Sequence, residues 1–208
     1  MQETTEKKLH ILDVAEDLFS RNGFDATTTR EIAEKSGANV AMISYYFGSK
    51  ENLLVAIIER FSHAILSILK DAYEIDSDPQ TRMKSILESY LNYSFEHPGP
   101  IMIAHRELGV NMRPALRSTI QNTHTQAREM VNDIIVDGQK AGIYRQIDVA
   151  LLIQSIGSMV DSMVNELHNL KRSGFDLCEM NMLDIGDEKD RMKIKHFIIE
   201  MVERYLKN

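Results

Sequence analysis

Arg30 offers a planar guanidinium that can make two parallel hydrogen bonds to a guanine edge. It follows Thr28 and Thr29, whose hydroxyls stand at a helix start where phosphate is favoured. Further along, Tyr45 and Tyr46 precede Lys50, two phenols and one cation suited to clamping a stretch of phosphate backbone. Between these groups lie Val40, Ala41, Met42 and Ser44. The first three lack a hydrogen-bonding side chain and can only pack on thymine methyls or exclude wrong bases, while Ser44 can serve any base weakly. Such a set recognises a surface and makes or breaks no bond.

The elements that would position these residues are legible in residues 27–50. Thr28 and Glu31 have the spacing of a capping box, in which each side chain meets an orphan backbone donor. Gly37 permits the left-handed backbone that ends this helix and turns the chain. Asn39 can cap a helix over 40–47, and Ser49 the one after it. Ile32, Ala33, Ile43 and Phe47 then share one small core, leaving Val40, Ala41, Met42, Ser44 and Tyr45 outward. A short helix braced from behind is what the DNA major groove admits. Tyr46 and Phe47 are equally readable as core residues.

Together with an apolar helix over 11–24, this stretch resembles the DNA-binding head of the tetracycline-repressor (TetR) family. Ala33, Gly37, Ile43, Tyr46, Phe47 and the Ser49-Lys50 pair carry the resemblance, which covers roughly the first quarter of the chain. It implies an all-α protein of about nine helices, with a helix-turn-helix head over 1–50 and a helical effector-binding and dimerisation body over 51–208. It also implies that Lys50 holds phosphate. Relatives commonly place an aromatic where Ser44 stands, so no relative's operator can be transferred.

The 208 residues carry a formal charge of −7, and 43% of them are apolar. In the first 60 residues seven Lys and Arg face ten Asp and Glu, so the head is itself −3. DNA binding would then rest on a few placed cations and helix ends, with weak non-specific affinity and two heads acting together. The single cysteine, Cys178, excludes an internal disulfide and fits a reducing compartment. Neither a basic-then-apolar leader nor an uninterrupted apolar run of spanning length is read, so the expectation is a soluble cytoplasmic protein with no membrane partner.

Apolar periodicity supplies the rest. Residues 1–8 read as a frayed arm, from which Lys7 and Lys8 can reach phosphate. Helices are predicted from Ser49 to about residue 70, over 80–96, over 101–108, from Pro114 to about 141 with an interruption near Gly138, over 149–172 and over 187–206. His97-Pro98-Gly99-Pro100 is read as a firm stop.

The family resemblance further implies that the last two helices of each chain join in a four-helix dimer bundle. Ile153, Ile156, Val160, Val164, Phe197, Ile198, Met201 and Tyr205 are the candidates, and the apolar set on 149–172 covers more than one face. The resemblance also implies a small-molecule effector in the body. Its candidate contacts are Tyr90, Phe95, Met102, His105, Met112, Thr123, His124 and Met159, several of them equally readable as core packing. A repressor released from a palindromic operator by that molecule is the implied function.

An enzyme is the first competing reading. No Gly-rich phosphate loop, nucleophile elbow or metal-ligand pair at helical spacing is found, and the seven histidines follow no ligand pattern, so no catalytic residue, metal or cofactor is assigned. The second is a helical ligand- or protein-binding dimer that no longer reads DNA, favoured by the acidic head and the bland 40–42 surface. Arg30, Tyr45 and Lys50 oppose it.

Overall fold

Side-chain oxygens sit at the helix starts where the sequence provides them. The computed structural model of the chain describes residues 2–110, 113–180 and 182–207. Among the described residues there are nine helices: α1 Gln2–Asn22, α2 Thr29–Lys35, α3 Val40–Phe47, α4 Lys50–Tyr73, α5 Pro79–Glu96, α6 Pro98–Val110, α7 Pro114–Lys140, α8 Val149–Arg172 and α9 Glu188–Leu206. The protein is all-α; an isolated antiparallel bridge joins Tyr144 and Lys207.

Thr28 Oγ1 accepts from the Glu31 amide at 3.1 Å. The Glu31 carboxylate turns instead to Lys35 at 3.5 Å, so the expected capping box is made on one side only. Asn39 Oδ1 accepts from the Met42 amide at 2.8 Å and Ser49 Oγ from the Asn52 amide at 3.1 Å. Gly37 takes φ +59°, the left-handed value the tight turn between α2 and α3 requires.

Three boundaries differ from the sequence reading. The expected frayed arm is helical from Gln2 onward, because its Glu, Gln and Lys residues are good helix formers that nothing interrupts. Residues 98–100 do not stop the chain: His97 caps α5, and Pro98 opens α6, since the first helical turn needs no amide donor. Helix α7 continues through Gly138 without a break. There a Cβ would lie 2.0 Å from the Tyr144 ring, so the glycine is required by a close neighbour rather than by a bend.

The chain divides into two compact units. The first comprises Met1–His63 and Gly99–Gln121, and so takes in more of the chain than residues 1–50. The reason is packing: Leu53, Leu54, Ile57 and Ile58 of α4, Ile103 of α6 and Leu116 of α7 share one core with Ile11, Ala15, Leu18, Phe19, Ile32, Ile43 and Phe47. Burying each large aliphatic side chain contributes about 1.5–3 kcal/mol. The second unit comprises Ala64–Pro98 and Asn122–Asn208, where α5 packs on α8 and α9. Its core holds Met83, Ile86, Leu91 and Phe95 with Val160, Val164, Ile198 and Val202.

Helix α4 is long and apolar enough to cross a membrane by length and composition alone, although Glu59, Arg60, Ser62 and His63 interrupt its apolar run. Its apolar residues are occupied otherwise: Leu53, Leu54, Ile57 and Ile58 lie in the core of the first unit, and Ile65, Leu69 and Ala72 are buried in the second.

Candidate nucleic-acid interface and effector site

Helix α3 has one buried and one open face. Ile43 and Phe47 are buried against Ile32 and Ala33. Val40, Ala41 and Ser44 are exposed, and Tyr45 is 83% exposed, a value no core residue reaches. Met42 is half-buried. Tyr46 is half-buried against the head core, with its ring edge-on to Tyr45 at 5.3 Å. The core reading of Phe47 therefore holds, and Tyr46 divides its ring between core and surface.

On α2, Thr28 is exposed while it caps, and Thr29 is half-buried. Arg30 is exposed and forms no ion pair among the described residues, so its guanidinium is not drawn to Glu34 one turn away. Other head cations are engaged. Arg21 meets Asp17 at 2.6 Å, and Arg60 bridges Asp13 at 2.6 Å and Glu16 at 2.7 Å. Lys8 stands 5.4 Å from the Phe47 ring centroid.

Lys50 is not placed as the sequence reading expected. Its ammonium donates to the carbonyls of Phe24 at 2.8 Å and Thr27 at 2.9 Å, and lies 4.1 Å from the Phe24 ring centroid. Thus two of its three protons tie the start of α4 to the turn before α2, in place of a clamp with Tyr45 and Tyr46. No local signal marks this role, because the carbonyl partners lie 23 and 26 residues away.

The effector candidates scatter. Met112 lies outside the described residues. His105 and His124 are exposed, so the structure does not bring them into an enclosed site; each occupies a solvent-facing helical position. Met102 is fully buried in the first unit, whereas Tyr90, Phe95, Thr123 and Met159 belong to the second. Phe95 is buried, and Tyr90, Thr123 and Met159 are half-buried.

One polar group in the second unit escaped the sequence reading. Ser94, one turn beyond Tyr90 on α5, is fully buried, and the Tyr90 phenol is the polar group beside its Oγ. Burial pushes the Tyr90 phenol well above its ordinary range, and the negative charge of Asp161 on α8 adds to the shift. Tyr90 therefore stays neutral across the ordinary pH range, beside the Ser94 hydroxyl and the Asp161 carboxylate. The clue in the sequence was a serine on the inward stripe of α5, since a buried hydroxyl calls for a partner.

The proposed dimer residues also divide. Ile156, Val160, Val164 and Ile198 are buried inside their own chain, so they cannot also cover a partner. Of the apolar set read on residues 149–172, Ile156, Val160, Val164 and Leu167 are buried, whereas Leu152, Ile153, Met159 and Met163 are half-buried and keep part of their surface open. Phe197, Met201 and Tyr205 are exposed at 60%, 37% and 40% and repeat every four residues along α9. Ile153 is half-buried. Leu151 at 61% and Met192 at 60% are exposed apolar residues that the sequence reading left out.

Comparison with known proteins gives this geometry a place. The family description "Bacterial regulatory proteins, tetR family" matches residues 11–57, and a tetracyclin-repressor-like C-terminal domain matches residues 76–165. The HTH-type transcriptional repressor NicS of Pseudomonas putida is 26% identical over 146 residues, 69% of this chain and 68% of that protein. The ketosteroid transcriptional regulator KstR2 of Mycobacterium tuberculosis has the same fold, with a TM-score of 0.75 at 18% identity over 97% of this chain and 95% of that one. The transcriptional regulator FadR of Bacillus subtilis, solved with stearoyl-CoA, superposes with a TM-score of 0.72 at 16% identity over 95% and 98% of the two chains. With both family regions matched in order and the helix-turn-helix built as above, the chain belongs to the tetracycline-repressor family, whose members are ligand-responsive DNA-binding transcriptional repressors rather than enzymes.

Proposed function

We propose that this chain works in the cytoplasm as a homodimeric repressor that sits on a partly palindromic operator and leaves it when a small molecule binds the body. The observation that carries the reading is the two-sided α3: a rigid apolar back and an open face of Val40, Ala41, Ser44 and Tyr45. Arg30 is the base reader, with Thr28 and Thr29 at the adjoining helix end to meet phosphate. Met42 and Tyr46 border that face. Lys50 serves the interface indirectly, by holding the turn on which α2 begins.

Two chains join through the α9 stripe of Phe197, Met201 and Tyr205, extended by Leu151, Ile153 and Met192. Two-fold symmetry then presents paired heads to half-sites about 34–36 Å apart. The effector docks at Tyr90, Ser94 and Asp161 on α5 and α8. Those groups suit a mainly apolar molecule with an uncharged or cationic hydrogen-bonding end, because Asp161 disfavours an anion there. Such a ligand weakens DNA binding only by its preference for the state with misplaced heads.

Selection of duplexes from a randomised library, followed by fluorescence anisotropy at several salt concentrations, tests the reading. A repressor enriches a two-fold sequence and binds it with a steep negative dependence of log K on log salt. Salt-insensitive binding, or no enrichment, would instead support a helical dimer that has lost DNA reading, the alternative favoured by the acidic head.

A further inference from the structure

The turn between α1 and α2 is held from two directions within the first unit. Phe24, buried in this turn, has the Lys50 ammonium 4.1 Å and the Arg113 guanidinium 4.1 Å from its ring centroid. Arg113 also donates to Asp25 at 2.7 Å and has the Glu107 carboxylate 2.9 Å from its Nε, a charge contact without hydrogen-bond geometry. On the same turn, Thr27 is fully buried and donates through Oγ1 to the Gly23 carbonyl at 2.8 Å, while Arg106 donates to the Phe19 carbonyl at 3.4 Å. The next residue, Thr28, caps α2, and Arg30 stands in the first turn of that helix.

Two basic residues on one aromatic ring repel each other, so the arrangement needs compensation. Asp25 and Glu107 supply it for Arg113, and the Phe24 and Thr27 carbonyls supply it for Lys50. The Asp25 side chain is 88% exposed, so the ion pair it makes contributes little to global stability. What this clasp fixes is direction. A guanidinium hydrogen-bonded to one carboxylate, close to a second and stacked on a ring is more narrowly oriented than a lysine ammonium in its place.

We propose that Arg113 is a positioning residue for DNA reading: through Phe24 and Asp25 it sets where the turn before α2 lies, and thereby where Arg30 points. It touches no base or phosphate. Arg113 immediately precedes Pro114, the first residue of α7. The proposal rests on the DNA-reading assignment for its functional half, and on the contacts above for its structural half.

The test uses the full-length chain with Arg113→Gln, Arg113→Lys and Asp25→Asn, the last an exposed change that leaves the fold intact. Amide hydrogen exchange over residues 24–31 reads the turn directly, with no DNA present. Exchange there is expected to speed up in Arg113→Gln and Asp25→Asn, while α8 and α9 keep wild-type rates. Affinity for the duplex that the wild-type chain selects from a random library should fall about tenfold, the size expected when one cation–π contact is lost. The slope of log K against log salt should not change, because no phosphate contact is removed. Arg113→Lys should recover part of the affinity.

Unaltered exchange over 24–31 would overturn the proposal. Faster exchange with unchanged affinity would reduce Arg113 to a stabilising role and overturn it too. A slope reduced by about one would make Arg113 a direct phosphate contact, also against it. If the wild-type chain selects no duplex, the DNA-reading assignment fails, and exchange alone then decides whether Arg113 holds the turn.

Discussion

Arg30 and Lys50 are both basic residues of the head, and the structure gives them different work. Arg30 is exposed and in no ion pair among the described residues, so Arg30→Ala should cost about 1–3 kcal/mol of discrimination at one base pair and relax specificity there. Lys50→Met should weaken binding to all duplexes alike, with an unchanged salt slope and a loss of about 1–2 kcal/mol in stability, because two carbonyls lose their donor. Titrating both variants against matched and mismatched duplexes checks the difference. A slope lowered by about one in the Lys50 variant would restore the phosphate clamp. The distinction was not legible in the sequence. Local signals such as Thr28, Asn39 and Gly37 depend on neighbours within a few residues and could be read. The Lys50 partners, the Ser94 surroundings and the Arg113 clasp depend on tertiary approach and could not.

At the scale of elements, Gly138 decides between two opposed effects. Replacing a glycine in a helix by alanine ordinarily favours the helix, by up to about 1 kcal/mol in the interior and less in the last turn, where Gly138 stands. Here the new methyl would lie 2.0 Å from the buried Tyr144 ring, so Gly138→Ala should destabilise by about 1–3 kcal/mol, as measured by urea unfolding. Tyr144 makes a second, pH-dependent prediction. Its hydroxyl donates to the Pro79 carbonyl at 3.0 Å, and its phenol is pushed up to about 12, by burial first and then by Asp78 and Glu203. A raised folded value for an acid favours the neutral form. The associated stability is full below the ordinary value near 10 and is lost as pH rises toward 12. Tyr144→Phe should lower stability by about 1 kcal/mol near neutrality and flatten the difference between pH 9 and 11. Helices α3 and α8 were readable to their termini because each has a cap and a sharp apolar stripe. The sequence misread α6 because its opening prolines look like a stop unless the helix is known to begin there.

The proposed repressor has to bring two heads together, and the exposed α9 stripe is the surface proposed to join them. Phe197→Glu combined with Met201→Glu should give a monomer with native helix content and no cooperative duplex binding, seen by sedimentation and circular dichroism. The four proposed interface residues that turned out to be buried, Ile156, Val160, Val164 and Ile198, should behave differently when cut to alanine. They should lower stability by about 2–5 kcal/mol rather than only dissociate the dimer. Periodicity identified these helices, yet an apolar stripe does not say whether its partner lies in the same chain or another. The account as a whole is tested most directly by analytical ultracentrifugation of the purified chain with the duplex it selects. Two chains per duplex, reverting to free dimer and free DNA as salt rises, is the predicted result. One chain per duplex, or a monomer at micromolar concentration with no duplex bound, would contradict it.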